Sequence, residues 1–214
     1  MDQKLIPARE ARARLRVANS RFIATVAPAF SVDEARAFID RIKAEFDDAT
    51  HNVPAFVIGH GATVTTHCSD DGEPSGTAGP PTLAVLQGSG LGDVAVVVTR
   101  YFGGTKLGTG GLVKAYSAAT REVLARLPRA VKLPTHTVRI EVHYRLYERL
   151  LRLVARHRGQ TLEEAFAGEV TVIARLPQQA LPAFRDELQE LSGGRAEPRI
   201  VASSESTIVP LPTN

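Results

Sequence analysis

One apolar run limits the possible folds of this chain more than any other feature. Residues 94–98 are the longest uninterrupted apolar stretch among the 214 residues. They are mostly β-branched and apolar at both alternating sets of positions, which is typical of a central strand buried on both faces of a sheet. The run is far shorter than the roughly 20 residues that a helix needs to span a bilayer. We therefore expect a protein built around a sheet, without a membrane-spanning helix.

The residues around this run predict the remaining elements of the first half. Three segments have strand character, at residues 22–26, 55–58 and 63–68. Ser31 and Glu34 form a capping-box pattern before a helix, and a second amphipathic helix is predicted from Leu112 to Leu127. Residues 1–18 are expected to be a loosely packed lead-in. Its arginines fit a helical period and a solvated face: Arg9, Arg12, Arg14 and Arg16.

The second half follows a different pattern. Strand and helix periodicities alternate in the order βαββαβ, which is the order of the ferredoxin-like split unit. Pro198 is compatible with this topology, because the last strand lies at a sheet edge, where a proline is tolerated. We predict an α+β protein of two domains, at residues 18–128 and 135–203. A short linker at residues 128–134 would join them, and the tail after Val201 is expected to be frayed.

Composition indicates a globular protein of a reducing compartment. Apolar residues make up 43% of the chain and charged residues 23%, which is ordinary for folded domains. Cys68 is the only cysteine, and no signal-peptide pattern is present, so we expect a cytoplasmic protein. The net charge of +3 is low for a dedicated nucleic-acid binder, so any electrostatic contact must come from a local patch.

A glycine-rich loop precedes the helix that begins near Leu112. Its five glycines are Gly103, Gly104, Gly108, Gly110 and Gly111. Such a loop exposes backbone N–H groups and the positive end of the helix dipole, so we predict that it binds an anion beside Arg100 and Lys106. Neither the P-loop pattern nor the dinucleotide-binding pattern fits. Tight turns and close packing remain the alternative explanation for the glycines.

A second candidate loop is rich in carboxylates. Asp70, Asp71 and Glu73 could hold a hydrated Mg²⁺ ion or supply a general base, but turn chemistry explains each of them singly. Internal ion pairs with Lys106 or Arg100 are a further alternative. Two more residues belong to this candidate site, a base and a hydroxyl: His51, which could pair with Asp70, and Ser75, which lacks the G-x-S-x-G context. No histidine or cysteine has metal-ligand spacing, so neither a metal nor a cofactor is predicted.

The second domain shows no sign of base stacking. RNA-recognition modules of this topology display aromatic residues on two central strands. The corresponding outward positions hold other residues: Arg139, Glu141, His143, Thr171, Ile173 and Arg175.

Both candidate loops resemble the signature segments of the IMPACT family, in particular its bacterial YigZ-type members. The similar segments are residues 20–24, 48–52, 69–79 and 99–116, within a similarity that covers about residues 18–127. Residues 137–201 are similar to the second domain usual in bacterial members. Two positions depart from the family pattern: Val53 replaces a usual cysteine, which weakens any thiol chemistry, and Pro80 replaces a frequent basic residue.

The resemblance implies both a fold and a kind of function. The first domain would be similar to the second domain of ribosomal protein S5, and the second would be ferredoxin-like and similar to a translation elongation factor domain. Family functions are regulatory, and eukaryotic relatives act through an additional domain that this chain lacks. A peptidase label sometimes attached to bacterial members finds no metal-ligand set here.

We therefore expect a non-enzymatic binding protein associated with translation. It would contact RNA phosphate, on the ribosome or elsewhere, or a translation-associated acidic protein, through the glycine-rich loop. The alternative is a small-molecule hydrolase or phosphotransferase that uses Asp70, Asp71 and Glu73 with a divalent metal and His51 as base.

Overall fold

The computed structural model describes residues 4–61 and 63–211, and it divides into two compact units. The first unit contains the described residues up to Val131 together with those from Ile208 onwards, and the second is Lys132–Thr207. None of the described helices has the length and hydropathy needed to cross a lipid bilayer. The predicted α+β class with two domains is confirmed.

The first unit is built on a five-stranded antiparallel sheet. After a short strand β1 (Lys4–Pro7), its strands are β2 (Ala11–Val17), β3 (Ser20–Pro28), β4 (His51–His60), β5 (Thr63–Cys68) and β6 (Val94–Tyr101). Their order in the sheet is β2-β3-β6-β4-β5, with β2 and β5 at the edges. The helices are α1 (Val32–Glu45), α2 (Gly79–Gly88) and α3 (Gly108–Ala125).

Strand β6 is the buried central strand expected from its composition. Alternate side chains point to opposite faces of a sheet. Val94, Val96 and Val98 therefore join the core layer that contains α3, whereas Ala95 and Val97 join the layer that contains α1. All five are fully buried. The sheet thus has a helical layer on each face.

In the N-terminal part of the first unit, one predicted feature is found and another is not. Ser31 caps α1 as predicted: its side chain accepts a hydrogen bond from the N–H of Glu34 at 3.1 Å. The lead-in predicted for residues 1–18 is wrong, since residues 4–7 and 11–17 form β1 and β2. Arg12, Arg14 and Arg16 therefore follow a strand period of two and not a helical one.

The second unit has the predicted βαββαβ order. Its elements are β7 (Arg129–Val142), α4 (Tyr147–Arg156), β8 (Gln160–Phe166), β9 (Val170–Pro177), α5 (Leu181–Ser192) and β10 (Arg199–Pro210). The sheet order β10-β7-β9-β8 is that of the ferredoxin-like unit. Val138, Ile140 and Val172 lie on one face of this sheet, in a core shared with α4 and α5.

The boundary between the units, at Val131 and Lys132, lies within a strand and not in a flexible linker. Strand β7 begins at Arg129 and runs without a break through the predicted linker at residues 128–134. The tail after Val201 is also ordered, because β10 continues to Pro210. The N–H of Leu211 donates to the carbonyl of Arg129 at 2.9 Å, within the first unit. Both segments are therefore extended strands and not flexible chain.

We expect the second unit to fold alone. Its core is formed by its own residues, so a fragment 132–207 should give a dispersed amide NMR spectrum. A fragment 1–131 should also fold but unfold at lower denaturant than the intact chain, because it lacks the strand pairing of residues 208–211. A poorly dispersed spectrum for 132–207 would contradict this division of the chain.

Candidate functional site

Arg100, predicted to face an anion, points into the protein. It lies on β6, its side chain is only 6% exposed, and its Nη1 donates to Glu73 Oε1 at 2.6 Å. Its Nη2 donates to Ser20 Oγ at 3.4 Å. Within the described part of the chain, Arg100 Nε is buried without a hydrogen-bond partner. The guanidinium charge is thus matched by Glu73, which confirms the internal pairing that the sequence left open.

Glu73 is the centre of a buried polar cluster. Tyr116, from α3, donates its hydroxyl to the same Oε1 atom at 2.7 Å. His51 Nε2 lies 3.8 Å from Oε2, on the other side of the carboxylate. We call Glu73, Arg100, Tyr116 and His51 the Glu73 cluster. Burial, followed by the hydrogen bond to Glu73, raises the pKa of Tyr116 far above its ordinary value, so its hydroxyl stays protonated and acts as a donor.

The two aspartates of the same loop point elsewhere. Asp70 accepts hydrogen bonds from the N–H groups of Gly76, Ala78 and Gly79, at 2.8–2.9 Å, and so caps the start of α2. Partial burial acts to raise the pKa of Asp70, but the three hydrogen bonds together act more strongly to lower it. The pKa of Asp70 therefore lies below its ordinary value. Asp70 is therefore an ionised helix cap.

Asp71 joins the loop to the neighbouring strand. Its carboxylate accepts from the N–H of Asn52 at 2.6 Å and from Lys43 Nζ at 2.6 Å. His51 Nδ1 donates to the main-chain carbonyl of Asp71 at 2.7 Å. The pairing of His51 with Asp70, which the sequence allowed, is not formed, because this histidine lies between Asp71 and Glu73.

The three carboxylates do not converge. Each has its own partners, and within residues 4–61 and 63–211 no group of three or more His, Cys, Asp or Glu side chains could hold a metal ion. Ser75 is exposed, two residues from the buried Glu73. The arrangement required by the hydrolase or phosphotransferase alternative is thus not formed by these side chains.

The glycine-rich loop has two different parts. At its start, Gly103 packs against the turn between β2 and β3: a Cβ at this position would lie 2.1 Å from the main-chain carbon of Asn19. Gly104 and Gly108 have positive φ values, of +83° and +69°. Close packing and turn geometry therefore explain these three glycines.

The end of the loop is open. Gly110 has space around it, and a Cβ at Gly111 would meet only Leu107 Cβ, at 3.1 Å. α3 begins at Gly108, and in the described structure no side chain caps its N-terminus. Lys106 is exposed directly before it. The loop thus leaves main-chain N–H groups and one cation at the surface, whereas Arg100 does not contribute there.

Two residues of this buried site are not indicated by the sequence patterns. Tyr116, a member of the Glu73 cluster, lies on the apolar side of α3, and Ser20, which accepts a hydrogen bond from Arg100, lies in a segment with no evident site residues. The signal available for Tyr116 was its hydroxyl, because a fully buried tyrosine usually requires a hydrogen-bond partner.

Comparison with known proteins agrees with the resemblance seen in the sequence. The Impact N-terminal domain matches residues 18–124, and the domain of unknown function DUF1949 matches residues 140–195. The IMPACT family member YigZ of Escherichia coli is 36% identical over 195 residues, 91% of this chain and 96% of that protein. An IMPACT family member of Thermus thermophilus is 41% identical over 182 residues, 84% of this chain and 97% of that protein.

A solved structure extends the similarity to the fold. The crystal structure of a hypothetical protein is 34% identical and covers 94% of this chain and 98% of its own, with a TM-score of 0.61. Since one domain family matches half of the chain and relatives above 30% identity match most of it, the chain belongs to the IMPACT family.

Proposed function

We propose that this protein is a non-enzymatic binding protein associated with translation, which holds RNA phosphate at the start of α3. The association with translation rests on the similarity expected between its two domains and those of ribosomal protein S5 and an elongation factor. The anion-binding part rests on the geometry of the glycine-rich loop. An acidic translation-associated protein is the other partner that this chemistry admits, and the test below separates the two.

One observation carries the proposal: the first turn of α3 is exposed and has no side-chain cap in the described structure. The first four N–H groups of a helix lack partners within it, and the dipole adds partial positive charge. Glycines at positions 108, 110 and 111 leave these groups accessible, because no Cβ shields them. A phosphate oxygen can accept several such hydrogen bonds at once.

The charge next to this turn supports an anionic ligand. Lys106 is exposed, and the described residues offer no carboxylate within ion-pair distance of it. The residues of the first turn include no acidic side chain. Arg100, by contrast, fixes the Glu73 loop to β6, so we assign it a structural role and not a phosphate contact.

A substitution that places a negative charge in this turn should separate binding from stability. Asp at position 109 is favourable at a helix N-terminus, by about 0.3–1 kcal/mol, so Thr109→Asp should unfold at the same temperature as the wild type or higher. It should nevertheless weaken RNA binding by on the order of tenfold, through repulsion of the phosphate. Fluorescence anisotropy with a labelled single-stranded RNA, beside thermal unfolding, measures both.

Two further variants complete this test. Thr109→Asn introduces a side chain nearly isosteric with that of Thr109→Asp but without charge, and it should bind like the wild type. Lys106→Ala should reduce the log–log slope of affinity against salt by about 0.7, which corresponds to one phosphate contact. Binding of the wild type to polyglutamate but not to RNA would favour an acidic protein partner. Unchanged RNA affinity in Thr109→Asp would contradict the loop as the binding site.

A further inference from the structure

Strand β2 carries arginines that lie on one face of the sheet. Arg12, Arg14 and Arg16 alternate along this edge strand with Ala13 and Leu15, which contact the core on the opposite face. The face is identified by Arg12, whose Nε donates to Thr25 Oγ1 at 3.0 Å and whose guanidinium lies 5.1 Å from the ring centre of Phe46. The three arginines therefore share the face that carries α1.

A row of cross-strand neighbours extends this arginine face towards the end of β6. Arg16 is the register partner of Arg21 on β3, and Arg21 is in turn the partner of Tyr101 on β6. Directly opposed side chains in antiparallel pairs lie on the same face, about 5 Å apart at Cβ. The Arg21 guanidinium lies 4.1 Å from the centre of the Tyr101 ring. We call Arg14, Arg16, Arg21 and Tyr101 the β2–β6 patch.

Among the described residues, Arg12 forms ion pairs whereas the three arginines of this patch form none. Arg12 forms a bidentate pair with Glu45, at 2.5 and 2.8 Å. No described carboxylate is within ion-pair distance of Arg14 or Arg16, which are both exposed. The nearby Asp48 accepts the hydroxyl of Tyr101 at 2.6 Å. Arg16 opposite Arg21 is a like-charge pair, an arrangement that destabilises a sheet unless an anion lies between the side chains.

The patch lies at the end of the sheet where the glycine-rich loop begins. Tyr101 is the last residue of β6, and Phe102, 47% exposed, follows it. Gly103 then packs on Asn19, in the turn between the two patch strands β2 and β3. Because α3 packs on the other face of the sheet, a nucleic-acid strand that contacts both its first turn and the patch would have to pass around this end of the sheet, where Phe102 lies.

We infer that the β2–β6 patch binds the backbone of a single-stranded RNA, as a second contact surface for the strand held at the start of α3. The inference rests on the proposed function. It adds a second contact surface and specifies that the RNA is single-stranded. Arginine guanidinium pairs bidentately with phosphate and stacks on rings, and single-stranded nucleic-acid sites combine arginines with aromatic rings. Here Tyr101 is half-buried against Arg21, and Phe102 is exposed. An acidic peptide would explain the arginines but would not use the rings of Tyr101 and Phe102.

A protective role is the rival explanation. Charged residues on an edge strand prevent sheets from pairing with each other, and β2 is such an edge. This role needs the charges of β2 but neither Arg21, on the second strand, nor the stacking on Tyr101.

The test compares two triple variants of the full chain. The patch variant is Arg14→Gln, Arg16→Gln and Arg21→Gln. The control removes three exposed arginines, one from α1, one from α3 and the residue that follows α3: Arg36→Gln, Arg121→Gln and Arg126→Gln. The probe is a fluorescein-labelled 12-nucleotide single-stranded RNA, titrated by anisotropy over a salt series.

The patch variant should bind about thirtyfold more weakly at low salt and lose about 2 units of log–log salt slope, one phosphate contact for each arginine. The control should stay within about threefold of the wild type, with an unchanged slope.

The loop variant Thr109→Asp, measured in parallel, separates the two proposals. If it weakens binding while the patch variant behaves like the control, the patch inference is wrong and the loop proposal stands. If only the patch variant weakens binding, the loop proposal fails, and the patch binds RNA without a shared contact at the start of α3. If the patch variant self-associates in sedimentation velocity but binds RNA like the wild type, the arginines only protect the edge. Absence of RNA binding by the wild type at low salt, or equal affinity for polyglutamate, overturns the inference.

Discussion

Glu73→Gln is expected to destabilise the protein by about 3–5 kcal/mol, which is typical of removing one partner of a buried ion pair. Glu73 and Arg100 are 3% and 6% exposed, so the substitution leaves the guanidinium charge without its counterion in a low-dielectric environment. Glutamine retains an acceptor for the Tyr116 hydroxyl, so this hydrogen bond should be present in both the wild type and the variant. Urea unfolding at neutral pH, followed by circular dichroism, measures the change.

A double variant and a surface control make this result specific. Glu73→Gln combined with Arg100→Met removes both charges and should be more stable than Glu73→Gln alone, since the uncompensated charge is gone. Glu122→Gln breaks the exposed pair with Arg126, whose side chains are 40% and 61% exposed, and should change stability by less than about 1 kcal/mol. A loss below that level in Glu73→Gln, or no recovery in the double variant, would contradict the role assigned to the Glu73 cluster.

Gly103→Ala should be the most damaging alanine substitution in the glycine-rich loop. A Cβ would lie 2.1 Å from the Asn19 carbon and 2.5 Å from the Ser20 nitrogen, and both are main-chain atoms that cannot turn away. The β2–β3 turn would have to move, although Ala18 and Asn19 already have positive φ values. Overpacking of this kind costs about 1–3 kcal/mol.

Gly110→Ala is the matched control in the same loop. Beyond its own helix turn, no atom lies within 4 Å of the added Cβ, and φ is not positive. Alanine is the better helix former by up to about 1 kcal/mol, so this variant should melt at the wild-type temperature or above. Equal melting temperatures for both variants in differential scanning calorimetry would show that the loop does not depend on its contact with the β2–β3 turn.

Periodicity predicted most of the fold because each element buries a recognisable face. The double-sided burial of residues 94–98 and the βαββαβ order both follow from such local patterns. The edge strand β2 was missed because two of the apolar residues that alternate with its arginines are alanines, which are depleted in strands. The continuous strand β7 was missed because prolines at 128 and 134 are usual loop signals, whereas here Pro134 lies within β7.

The candidate site was predicted as two loops and not as one cluster. Its residue types indicated polar chemistry, but the contact of Glu73 with Arg100 depends on how α2 and β6 pack, which no local pattern contains. Likewise, the arginine face of β2 depends on register, since only the pairing of Arg16 with Arg21 brings the two charges together. Sequence patterns thus identified the residues, and tertiary structure determined their partners.

The course of strands β7 and β10 makes the first unit discontinuous in sequence. Residues up to Val131 are synthesised before the second unit, but residues from Ile208, which belong to the same unit, are synthesised after it. During translation the first unit can therefore collapse early, yet it waits for the whole second unit before Leu211 can pair with Arg129. Until then the edge next to Arg129 lacks a pairing partner from this late segment, and a nascent chain stalled between the two units would expose main-chain groups to any neighbouring strand.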